Sequence, residues 1–207
     1  MMLHYHKAFC SAFGMLSLSL ALGQVPQLTV RMYNLAPVPP GILDSAGVEA
    51  ARILRGLPVR LSWINCSAQA HPAFCETPEM PTGIRIRLLP KALLEASGSA
   101  LGIAMWSESG GSAALFYDRA ISLRKPGLFL PQILGRAMAH EIVHLLLGTT
   151  SHAELGLMRG AWSADDLRPD SGACLELTPA AAAAIRKEAQ RRVAAERAAG
   201  PFSYETK

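Results

Sequence analysis

His140-Glu141-Ile142-Val143-His144-Leu145-Leu146-Leu147-Gly148 is the stretch on which the reading of this 207-residue chain turns. Residues 131–147 read as one helix: Pro131 suits its first turn, and Gly148 suits its C-terminal cap. Leu134, Met138, Ile142 and Leu145 give that helix an apolar stripe to lay on a core. His140 and His144 are then one turn apart and point the same way, so both imidazoles can reach one tetrahedral Zn2+. Glu141 projects to the side, where it can meet a metal-bound water instead of the metal. Zinc brings the pKa of such a water toward neutrality, and Glu141 is placed to take its proton as general base while a polarised carbonyl is attacked.

A catalytic zinc needs a third protein ligand and one open position. Gly148 lets the chain leave the helix and turn back, and His152 lies eight residues beyond His144. Glu154, Asp165 and Asp166 are carboxylates downstream that could complete a two-His, one-carboxylate site instead. Neutral imidazole is the commonest zinc ligand, which favours His152.

Outward from the motif, the pattern is α/β. Residues 27–35 (QLTVRMYNL) read as a strand ended by Pro37, Pro39 and Pro40. Ile42, Val48, Ala51, Ile53 and Leu54 recur at helical spacing up to Gly56. Residues 58–64 read as a second strand, 65–82 as a loop, and 84–89 as a half-buried strand that alternates Ile and Leu with Arg85 and Arg87. Residues 101–106 and 113–123 read as two more strands joined by a Ser/Gly-rich turn over 107–112. An irregular stretch, 149–174, leads to a last helix, about 178–199, with Thr178 as N-cap, Pro179 at the first helical position and a tail over 200–207. The expectation is a single domain built on a twisted mixed sheet of about five strands. An N-terminal helix, an active-site helix and a C-terminal helix complete it.

Half of the chain is hydrophobic, which excludes a disordered polymer. The net charge of +4 traces largely to Arg186, Lys187, Arg191, Arg192 and Arg197, diluted by Glu188 and Glu196. No aromatics interleave them, so they read as a solvated helix face and no nucleic-acid partner is expected. At the other end, His4, His6 and Lys7 precede an uncharged apolar run over 8–22, and Ala21 and Gly23 offer the small residues a signal peptidase reads. Residues 1–23 are thus expected to be a secretory signal, with a secreted or periplasmic chain from Gln24 to Lys207. The run is too short and Ser-rich to span a membrane comfortably, so no membrane association is expected after cleavage. Cys10 lies within the signal. Cys66 and Cys75 bracket a loop with His71 and Pro72 and could close a small disulfide, although Cys174 could pair with either.

The segment from His140 to His152, followed by Gly156-Leu157-Met158, resembles the metzincin zinc peptidases, whose signature is H-E-x-x-H-x-x-G-x-x-H followed by a methionine turn. The order of strands and helices before the motif is similar to the upper subdomain of that family, and the last helix to its final helix. The chain also resembles small exported bacterial proteins with an H-E-x-x-H-L-L-L-G core. The resemblance implies a zinc metallopeptidase acting on peptide or protein, and a monomer is expected. His140, His144 and His152 would be the ligands and Met158 a floor beneath them, although Met158 also reads as ordinary core. It further implies that 101–106 is an edge strand able to pair with an extended peptide. Trp106 and Trp162 could line a subsite or the core, and Asp118 and Arg119 could be a surface ion pair. The spacing departs from the family's. Three residues stand between His144 and Gly148, and three between Gly148 and His152, where the family has two in each place.

Overall fold

The computed structural model describes residues 24–67, 72–94, 96, 98–107, 110–154, 156–167 and 177–200. The expected signal, His71, Cys174 and the end of the tail lie outside the described residues.

Five strands form one mixed sheet: β1 (Gln27–Asn34), β2 (Arg60–Asn65), β3 (Gly83–Leu89), β4 (Gly102–Ser107) and β5 (Gly110–Phe116), in the order β2-β1-β3-β5-β4. Every pairing is parallel except β4 with β5, so β4 is an antiparallel edge strand. Period-2 alternation fixes which way the sheet faces. Leu28, Val30, Met32, Ile84, Ile86, Leu88, Ala113 and Leu115 are all buried and belong to one core cluster. Helix α1 (Pro40–Ile53) contributes Leu43, Ala46, Gly47 and Ala50 to that side, a stripe at helical spacing.

Against the same layer lies the motif helix. A short helix, α2 (Tyr117–Ser122), precedes it, and the motif helix itself is α3 (Leu130–Leu147). The sequence predicts one apolar stripe, but α3 is buried almost all the way round from Leu130 to Leu146. The reason is its setting: the chain packs it against α1, β4, β5 and the C-terminal helix α4 (Pro179–Ala199). Ile133, Val143 and Leu146, off the predicted stripe, are buried in the same core.

Three expectations need correcting. The turn expected over 107–112 gives way to strand at both ends, because Ser107 pairs with Gly110 and Trp106 with Gly111. Gly111 serves packing instead of turning: a Cβ there would lie 3.1 Å from the Leu145 side chain. The strand over 113–123 stops at Phe116, and Tyr117–Ser122 is helical. Asp118 and Arg119 are also more than a surface ion pair. Asp118 accepts from the Ala92 N–H, while Arg119 donates to the carbonyls of Ala96 and Ala100 and stacks over Phe116.

The second face of the sheet is covered in part by the loop after β2. Cys66 and Cys75 are joined there in a disulfide. Arg31, only 1% exposed, donates to the carbonyls of Phe74, Thr77 and Pro78. A buried guanidinium is tolerable because loop carbonyls replace its water.

Arg192 is a further correction. Instead of standing on a solvated face, it is 2% exposed. Its Nη2 donates to the Leu145 carbonyl at 3.0 Å, and its Nε donates to Glu188. Near the end of a helix such a carbonyl lacks an intrahelical partner, and a cation there also suits the helix dipole. Arg192→Ala is expected to destabilise the chain by about 1–3 kcal/mol, since it orphans the buried Leu145 carbonyl, while Glu188 keeps its pairing with Arg191. Urea unfolding of the two proteins checks this.

Candidate metal centre

The last two turns of α3 bring His140, Glu141 and His144, all buried, to one end of the core. Gly148 takes the left-handed conformation at φ 65° and donates its N–H to the His144 carbonyl, which ends the helix and reverses the chain. Thr149 then tightens the turn: its hydroxyl accepts from the Ser151 N–H and donates to Ser151 Oγ. That compact loop absorbs the extra residues and delivers His152. Ring atoms of His140, His144 and His152 all lie within 4.8 Å of one another. Glu154 and Asp165 are exposed, and Asp166 accepts from Arg159 and Ser163. No carboxylate among the described residues joins this cluster.

Hydrogen bonding fixes the tautomers. His140 Nδ1 lies 2.8 Å from the Leu157 carbonyl oxygen, and His144 Nδ1 lies 2.7 Å from that of Thr149. A carbonyl can only accept, so both Nδ1 atoms carry protons and donate. Each neutral ring is left with a lone pair on Nε2. Those Nε2 atoms face each other at 2.9 Å, and His152 Nε2 stands 3.2 Å from His144 Nε2. Lone pairs so placed repel unless a cation lies between them. A proton is a poor candidate: burial, with the His144 and His152 neighbours adding to it, pulls His140 down to about 4. Burial likewise lowers His144. The donor set fits zinc, for which nitrogens on a tetrahedral ion stand roughly 3.3 Å apart.

Glu141 is 5% exposed, and burial alone pushes its carboxyl up to about 8. Its room is made by a glycine. A Cβ on Gly102, at the start of β4, would lie 2.9 Å from Glu141 Oε1 and 2.9 Å from the Ala114 carbonyl oxygen. Gly160 plays the same part for His152, whose Cγ would be 3.1 Å from an added Cβ. His140 has the Trp162 ring edge-on at 5.0 Å. Met158 is half-buried against the main core, and the contact its segment makes with the histidines runs through the Leu157 carbonyl.

These side chains share a cavity of about 240 Å³. Edge strand β4 forms one wall with Gly102, Ile103, Ala104 and Trp106; residues 159–162 form the other; His140, Glu141, His144 and His152 line the space between. Both tryptophans singled out in the sequence are there. Sequence reasoning missed Gly102, Gly160 and Arg159. No spacing or residue pattern marks them, because each matters through a neighbour distant in the chain or in a loop.

No family model matches the chain, and no curated protein matches it. Among solved structures the chain is similar to archaemetzincin from Methanopyrus kandleri, with a TM-score of 0.45 and 12% identity over 83% of this chain and 99% of that one.

The buried carboxyl has a consequence for the metal-free protein. Below its unfolded pKa of about 4.5, Glu141 is neutral in both states. As pH rises toward 8, the unfolded chain loses the proton and the folded chain keeps it, so stability falls by about 1.4 kcal/mol per unit. Glu141→Gln removes this loss. The metal-free variant should therefore melt well above the unsubstituted protein at pH 8 and converge with it near pH 4.5, as measured by thermal denaturation in chelator.

Proposed function

We propose that the chain is an exported zinc-dependent metallopeptidase, with His140, His144 and His152 as the metal ligands and Glu141 as general base. The observation that carries this is the convergence of three imidazoles whose tautomers leave lone pairs facing one another. When bound, zinc supplies a Lewis acid that polarises a carbonyl and lowers the pKa of water. The chain's own residues do the rest. The Leu157 and Thr149 carbonyls hold two of the rings in the ligating tautomer. The Glu141 carboxylate takes a proton from water at the cavity floor and returns it to the departing amine nitrogen. Its burial, which raises its affinity for a proton, suits both halves of that transfer.

The cavity runs beside β4, the sheet edge. An extended peptide laid there could pair with the strand's free side, which gives affinity with little demand on sequence. Export is supported by the apolar run at residues 8–22 and by the Cys66–Cys75 disulfide, which suits an oxidising compartment. Among the described residues no helix is long and apolar enough to cross a membrane.

Zinc content and peptide cleavage, measured on the same preparations, test the reading. The chain should hold one zinc ion. Glu141→Gln should keep the metal and lose about 10²–10⁴-fold in kcat; retained cleavage would overturn the mechanism. His152→Ala should lose zinc affinity where Glu154→Ala does not. Gly102→Ala should keep zinc yet lower kcat by about tenfold or more, because its Cβ displaces the base.

A further inference from the structure

We propose that Arg159 forms an anion subsite in the cleft wall, which takes a carboxylate of the substrate, either an acidic side chain or a free C-terminus. This rests on reading the cavity as the substrate site, and it adds the chemical class of substrate that the site prefers.

Its place comes from the fold of the loop. The Ala153 N–H donates to the Met158 carbonyl at 2.7 Å, the Arg159 N–H donates to that of Gly156, and Ala153 and Arg159 form a β-bridge. The chain therefore doubles back over itself, and Gly160 is pressed against the His152 ring. Arg159 is the next residue along, about 3.8 Å away by Cα, so its side chain starts beside the metal ligands. It lines the same cavity.

The guanidinium is held and still open. Nη1 donates to Asp166 Oδ1 at 2.8 Å. Asp166 is itself fixed, since its Oδ2 accepts from the Ser163 N–H at 2.8 Å and from the Ser163 hydroxyl at 2.7 Å. Arg159 Nη2 and Nε have no acceptor among the described residues, and the side chain is 43% exposed. One corner of the fork is thus anchored while the other donors face solvent. A planar fork with free donors is the group that recognises a carboxylate by paired hydrogen bonds, and anchoring reduces the ordering entropy lost on binding. Arg159 is the only Lys or Arg among the described lining residues, and the Asp166 carboxylate beside it takes Nη1 and leaves Nη2 and Nε for a ligand.

Three related peptides provide the test: acetyl-Ala-Ala-Leu-Ala as the free acid, the same peptide as its C-terminal amide, and the amide with Glu replacing the last Ala. Their affinities are measured on the zinc-loaded full chain carrying Glu141→Gln, so that turnover is not required. The free acid, the Glu peptide or both should bind about tenfold or more tightly than the plain amide, and which one does so identifies the source of the carboxylate. Adding Arg159→Gln should bring all three to nearly equal affinity, and Arg159→Lys should restore part of the preference. Asp166→Asn, which keeps the cation and frees it, should weaken the preference without abolishing it. Equal binding of the three peptides with Arg159 intact would overturn the proposal. A carboxylate preference that persists in Arg159→Gln would overturn it too, since the metal would then be the anion's partner. If no peptide is cleaved by the unsubstituted chain, the peptidase reading fails, and the binding comparison still decides the subsite.

Discussion

Helix α3 is enclosed, and the rest of the site follows from that constraint. A helix buried on nearly every side normally carries only apolar residues, yet this one places two histidines and a glutamate under cover within five residues. Each such group costs free energy unless something replaces its water. The histidines are compensated at Nδ1 by two carbonyls from the returning loop. Their other nitrogens are turned toward one another, an arrangement that is unfavourable for the apoprotein and favourable only around a cation. Glu141 receives no such compensation, so its proton is held instead. The local economy of polar groups is that of a protein stabilised by its ligand.

The same enclosure explains the supporting contacts. A helix wedged between layers cannot shift to accommodate a neighbour, so neighbours must yield, and Gly102 and Gly160 are where they do. It also cannot swing its C-terminus into solvent. Arg192 on α4 reaches across to the Leu145 carbonyl, and Gly148 closes the last turn onto His144. Both act on the turn that carries His144, so α4 takes part in positioning the site although none of its residues lines the cavity.

Much of this was legible in the sequence where a local rule applied. Strand alternation in residues 84–89, Pro131 and Gly148 at the ends of α3, and the Thr178-Pro179 start of α4 are each decided within a few residues, and each stands as expected. So does the clustering of His152 with the two motif histidines, despite a spacing that departs from the metzincin pattern. Reading failed where tertiary packing outweighed local preference. Gly110, Gly111 and Ser112 have the composition of a turn, but they pair in β5, with Gly111 giving up its side-chain volume to Leu145. Arg192 has the setting of a surface charge, and only the arrival of α3 against α4 gives it a buried carbonyl to serve. The roles of Gly102 and Arg159 are set by partners distant in the chain or in an irregular loop, which no periodicity reaches.

The two walls of the cleft differ in the kind of information they carry. The β4 wall is a strand edge, whose backbone groups repeat along its length and address any extended chain alike. The wall opposite is an irregular loop, where neighbouring positions differ: Trp162 lies against His140, Gly160 against His152, and Arg159 is braced on Asp166. Discrimination between ligands needs groups that some ligands satisfy and others leave unpaired. A strand edge supplies few of these and the loop supplies several. On the proposed reading of this cleft, selectivity therefore falls to residues 159–162 and capture of an extended chain to the sheet edge.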